Sequence, residues 1–152
     1  MLDKILSRLS GKPDAPATPE DAADDLQRAV AALFVEAARA DENYEQGEKA
    51  LIDKSLAAKF SLSLEEAAAL RAKGEEAQSA ATDIQRFTRR AKELSKEEKV
   101  ALIEGLWEVI LSDGERDSFE DTLMRRICGL IYVDDRVSGE ARQRVEAKLS
   151  RQ

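Results

Sequence analysis

Hydrophobic positions recur every three to four residues along almost the whole chain, the spacing that lays one apolar stripe along a helix. Leu26, Val30, Leu33, Phe34 and Ala37 form the first long stripe. Thr18 is suited to an N-cap and Pro19 to the first helical position, so a helix is predicted from there to about Ala40. A second is predicted over about 45–59, with Leu51, Ile52, Leu56 and Phe60 inward. Ser63 and Glu66 have capping-box spacing and open a helix to about Ala80 that buries Leu64, Ala68 and Leu70. Thr82 and Asp83 precede a short helix carrying Ile84, Phe87 and Ala91. Ser95 and Glu98 repeat the box. The helix they open is apolar over most of its circumference, from Val100 through Leu106 and Trp107 to Leu111, and is predicted to be the central, most buried element. A helix over about 117–130 turns Phe119, Leu123, Ile127, Leu130 and Ile131 inward. Residues 133–140 read as a turn and cap. A last helix to about Leu149 carries Val137, Ala141, Val145 and Leu149. The fold class is therefore all-α.

The pattern divides the chain into a short amphipathic arm (1–10), a linker (11–19) and a helical domain (20–152). Leu2, Ile5, Leu6 and Leu9 share one face of the arm, with Lys4 and Arg8 beside them. Pro13, Pro16 and Pro19 punctuate the linker. So short a helix is marginal alone. The arm has three readings: peripheral membrane contact through residues 1–9, docking on its own domain or a second copy, or fraying.

Composition narrows the chemistry. Ala, Leu, Glu, Lys and Arg dominate, with only 7 Gly and 3 Pro, which reinforces the helical reading. Hydrophobic residues at 43% and charged residues at 36% describe a globular chain. A net charge of −7 disfavours nucleic acid and leaves cations or basic partners. The absence of His removes the usual general base and the commonest nitrogen ligand for a metal. One Cys excludes an intrachain disulfide and fits a reduced, cytoplasmic setting. No apolar run reaches the ~18 residues of a membrane span, and the N-terminus lacks a signal-peptide pattern. Cys128 and Trp107 read as core, the indole N–H needing one acceptor. Arg86, Arg89, Arg90 and Lys92 form a local basic patch, read as a solvated face or as a seat for an acidic partner, including the acidic turns of another copy.

One phrase occurs twice. Asp41-Glu-Asn-Tyr-Glu-Gln-Gly-Glu48 and Asp113-Gly-Glu-Arg-Asp-Ser-Phe-Glu120 each follow an apolar run and open the next amphipathic stretch. An offset of 72 residues also aligns Glu36 with Glu108, Leu51 with Leu123 and Phe60 with Tyr132. The halves are expected to pack about a pseudo-twofold axis. Oxygen ligands stand at alternating positions: Asp113, Glu115, Asp117 and Glu120 in the second turn, Asp41, Asn43, Glu45 and Glu48 in the first. Such a set suits a hard cation, Ca²⁺ or Mg²⁺. It is not an EF-hand, which needs Gly at the sixth position and Glu at the twelfth; here those are Gln46 or Ser118, and Ile52 or Met124. The competing reading is structural. Asp117 with Glu120 and Asn43 with Gln46 have cap spacing, acidic first turns complement the helix dipole, and Gly114 permits a turn. Glu36 and Glu108 stand out on apolar helices. A salt bridge to Arg125 or Arg39, or a hydrogen bond closing a turn, is the plain reading. A carboxylate pair facing across the axis, as in di-metal bundles, is the sharper one, but those bundles also use His.

These residues resemble the tellurite-resistance TerB-like family. The resemblance rests on Leu33-Phe-Val-Glu36-Ala-Ala-Arg-Ala-Asp41 with Glu48, on Phe87-Thr-Arg-Arg90, and on Leu106-Trp-Glu108-Val-Ile-Leu-Ser-Asp113-Gly114 with Glu120. It covers about residues 24–148. The second turn matches the family's Ala/Ser-Asp-Gly pattern, while the first has Glu42 in place of Gly. The resemblance implies a compact domain of about seven helices and a link to stress responses such as tellurite or phage resistance. It does not imply an enzyme. The leading expectation is a cytoplasmic, non-enzymatic binding or scaffold module acting through protein partners, near a membrane or in a complex, with homo-oligomerisation open. The alternatives are a metal-dependent enzyme using the carboxylates and a co-chaperone-like adaptor without the His-Pro-Asp signature.

Overall fold

The computed structural model of the chain describes residues 18–40, 44–112 and 118–151, with only the backbone described at positions 118 and 119. Its elements are α1 (Pro19–Arg39), α2 (Gln46–Phe60), α3 (Leu64–Ala80), α4 (Gln85–Ala91), α5 (Lys96–Leu111), α6 (Ser118–Ile131) and α7 (Asp135–Ser150). The fold is an all-α bundle, with no strand among the described residues.

Local chemistry sets most helix starts. Thr18 Oγ1 accepts from the Asp21 N–H at 3.0 Å, and Pro19 fills the first turn where an N–H would have no acceptor. Both capping boxes close: Ser63 with Glu66 opens α3, and Ser95 with Glu98 opens α5. In each, the Ser backbone and side chain hold the Glu carboxyl below its ordinary pKa. The short α4 has no side-chain cap at Ile84; Asp83 Oδ1 instead accepts from the Gln85 N–H at 2.9 Å. Asp134 caps α7 by accepting from the Arg136 N–H at 3.0 Å. Val137, Ser138, Gly139 and Glu140, read from sequence as a turn, are therefore inside a helix. The cap sits earlier than expected, and an internal Gly lowers helix propensity without ending the helix.

The core corrects the expected hierarchy. The second half of α1 is buried all round, from Ala29 through Val35 and again at Ala37 and Ala38. It packs against α2, α3, α4 and α5, so α1 is central rather than α5. The small alanines hid this, because they add little to an apolar stripe, yet they let neighbours approach. A Cβ built on Gly74 of α3 would lie 2.7 Å from Ala31 Cβ and 2.8 Å from the Ala31 carbonyl carbon. On α5, Gly105 leaves space that the Phe34 ring occupies. The buried register of α3 is Ala67, Leu70 and Gly74; Leu64, expected inside, is 66% exposed at the first helical position. Met124, Ile127, Cys128 and Ile131 form the inner face of α6, with Leu130 only partly buried.

Element bounds run in parallel through the two halves, first at the offset of 72. α1 ends at Arg39 and α5 at Leu111; α2 begins at Gln46 and α6 at Ser118. The offset then drops to 71, because α6 ends one residue sooner than α2. Ser61 and Tyr132, both left-handed, follow the two helices, and the next N–H closes each end on Ala57 or Cys128. N-caps Ser63 and Asp134 keep this offset, as do the buried sets Ala67–Leu70–Gly74 and Ser138–Ala141–Val145.

Candidate functional site

Each acidic phrase runs into the first turn of a helix, α2 or α6. Glu48 and Glu120 are the third residues of those helices, and both are buried, 9% and 2% exposed. An acidic residue in a first helical turn complements the helix dipole. Both are engaged by neighbouring groups. Glu45 is the exposed N-cap of α2 and makes no side-chain cap bond. The other candidate ligands, Asp41, Asn43, Asp113, Glu115 and Asp117, lie outside the described residues, as do Gly114 and the arm at 1–9. Among the described residues, no three Asp, Glu or Cys side chains gather so as to hold a metal ion. A cation at either turn would therefore depend on ligands from 41–43 or 113–117 joining the buried Glu.

The first turn runs into a polar network that sequence reasoning missed. Two cations lie over the Tyr44 ring, the Arg39 guanidinium and the Lys49 ammonium, each 5.1 Å from its centroid. Its hydroxyl is buried near Glu75 and Arg71 without meeting hydrogen-bond geometry with either. Burial, and then the Glu75 carboxylate, push its pKa up to about 12, with Arg71 opposing. Arg71 binds Asp53 at 2.6 Å and Glu75 at 3.1 Å, joining α3 to α2. Arg39 donates to Gln78 Oε1 and to Ser79 Oγ at 2.9 Å, and Gln78 Nε2 donates to Glu36 Oε2 at 2.6 Å. The i,i+4 pair Arg71–Glu75 was visible in sequence; its link to α2 was not.

The second half ties its carboxylates differently. Glu108 accepts from Lys148 Nζ at 3.1 Å and Glu104 from Arg144 Nε at 2.6 Å, both partners on α7. The expected partners Arg125 and Arg39 are thus replaced by an ammonium from the last helix, 40 residues away. Glu36 and Glu108 are each bonded to the last turns of the helix beside them, not to one another. Trp107 Nε1 donates to Ser138 Oγ at 3.1 Å, with the Arg142 guanidinium 5.8 Å from its ring centroid. Cys128 is buried, and burial pushes its thiol pKa up.

An open groove of about 420 Å³ lies between α2, α5 and α7, and no acidic-turn residue lines it. Phe34, Leu51, Gly105 and Leu149 form its apolar side, and Lys59 and Glu108 stand among its polar groups. Lys59 Nζ donates to the Glu98 carbonyl at 2.9 Å; burial lowers its pKa against the pull of the Glu98 carboxylate. No described helix is long and apolar enough to cross a membrane.

A family model described as "Tellurite resistance protein TerB" matches residues 27–143, well over half of the chain. No curated protein and no solved structure matches.

Proposed function

The chain belongs to the tellurite-resistance TerB family, and from that premise we propose that it is a non-enzymatic binding module of the stress response that takes a divalent cation, Ca²⁺ or Mg²⁺, at its acidic turns. The observation that supports this is the matched burial of Glu48 and Glu120. Each turn ends in a carboxylate withdrawn from water in the first turn of a helix. A fixed carboxylate beside further oxygen donors is the kind of ligand set hard cations take, with water completing the shell. Asp113–Glu120 is the stronger candidate because its four candidate ligands are all carboxylates, where those of the first turn are three carboxylates and the Asn43 amide, and because it has Gly114 where the first turn has Glu42. The module works in the cytoplasm through protein partners. The non-catalytic reading is supported by the missing His and by Glu36 and Glu108, which are tied to an amide and an ammonium.

Thermal unfolding with and without Ca²⁺ or Mg²⁺ tests the cation. A ligand at a hundredfold excess over its Kd stabilises by about 2.7 kcal/mol, which is easily read as a rise in Tm. Asp113→Asn should remove most of that rise and Asp41→Asn less. No shift with either ion would sink the cation assignment.

A further inference from the structure

We propose that the surface where the C-terminal end of α6 meets α4 is a docking site for an acidic protein segment, with Tyr132 as its aromatic anchor. Tyr132 is the starting observation. It holds φ 61, the left-handed region, immediately after α6. Glycine is favoured at such a helix end, and a bulky side chain enters it only at a cost. The ring does not recover that cost by packing, since Tyr132 is 76% exposed, the most exposed large hydrophobic residue among those described. An outlier of this kind is a reason to look for a use.

Its surroundings supply the chemistry. The Lys92 ammonium lies 5.0 Å from the ring centroid and joins α4 to the end of α6. Arg89 of α4 and Lys92, its C-cap, are three residues apart and both exposed. On α6, Arg125 and Gly129 are one turn apart and both exposed, nothing lies within 4 Å of a Cβ built on Gly129, and the exposed Tyr132 follows the helix end directly. Arg126 stands beside them. Among the described residues, Arg89, Lys92, Arg125 and Arg126 form no salt bridge. Of the carboxylates adjacent in the chain, Glu93 pairs with Arg90 at 3.6 Å, Asp134 caps α7, and Asp121, one turn before Arg125, is engaged as well; Asp135 follows in the first turn of α7. In a chain of net charge −7, two packed helices thus carry four exposed cations without a salt bridge, and one of them, Lys92, lies against an open aromatic ring. Charge complementarity selects an acidic partner, and the tyrosine gives it an apolar or stacking contact. Tyr132 follows the opposite end of α6 from Glu120, and none of the four cations belongs to the second acidic turn, so the surface is independent of the cation assignment.

The probe is a fluorescently labelled short peptide rich in glutamate with a central leucine, followed by anisotropy on the full chain. Saturable binding should weaken at least tenfold between about 50 and 500 mM salt. The pair Arg89→Glu with Arg125→Glu should weaken it about tenfold. Tyr132→Gly separates function from fold: Tm should rise by about 2–4 °C as the left-handed strain is relieved, while affinity falls severalfold. Unchanged affinity in Tyr132→Gly would overturn the anchor, and absence of saturable binding would overturn the surface. Tighter binding of a single-stranded oligonucleotide or of phosphatidylserine vesicles than of the peptide would also overturn the assignment.

Discussion

Gly74→Ala is the sharpest test of how α1 and α3 pack. In an exposed helix, replacing Gly by Ala stabilises by up to ~1 kcal/mol, because Ala loses less backbone entropy. At Gly74 the added Cβ would fall 2.7 Å from Ala31 Cβ, 2.8 Å from the Ala31 carbonyl carbon and 3.0 Å from the Ala32 nitrogen. No rotamer can relieve contacts with backbone atoms, so the two helices must separate by several tenths of an ångström along their shared face. Overpacking of this kind costs ~1–3 kcal/mol, which exceeds the propensity gain. The expected net loss is about 1–2 kcal/mol, or a Tm lower by about 3–8 °C. Gly129 and Gly139 provide the control. Both lie inside helices with nothing within 4 Å of an added Cβ, so the same substitution there should stabilise. Urea unfolding followed by far-UV circular dichroism measures all three, and unchanged m values would show that the unfolded reference is shared. If Gly74→Ala stabilised as Gly129→Ala does, the close α1–α3 approach would be refuted.

Two further outcomes are expected. Ser138→Ala removes the acceptor of the only Trp and leaves a buried N–H without a partner, for a loss of about 1–3 kcal/mol in denaturant unfolding and a shifted emission maximum; a loss under about 0.5 kcal/mol would mean the indole finds another acceptor. Glu98 is held below its ordinary pKa of 4.5 by Ser95, so its contribution is present above that value and is lost as pH falls through the lower folded value. Glu98→Gln cannot titrate and should flatten the acid limb of a stability–pH curve below about pH 4.5; a steeper limb would contradict the box.

The two capping boxes, the Thr18–Pro19 start and the all-α class were legible because each rests on neighbours within one turn, where spacing alone dictates geometry. Leu64 misled for the opposite reason. Its size suggested burial, but facing α1 and α2 is decided by Ala67, Leu70 and Gly74, which are small or spaced for contact rather than conspicuous. The acidic phrases could be found by repetition. That Glu48 and Glu120 withdraw from water follows only from the neighbours placed around them.

By itself, the sequence determined where the capped helices α1, α3 and α5 begin, that the fold is helical, and that the chemistry available is carboxylate and oxygen rather than imidazole. These are properties of short windows and of composition. Tertiary structure decided which helix is central, that Glu108 meets Lys148 and Glu36 meets Gln78, and that Tyr132 stands exposed beside Lys92. Each of those pairings spans about 40 residues. Packing of whole helix faces sets such distances, and a small residue such as Gly74 counts there for the space it leaves.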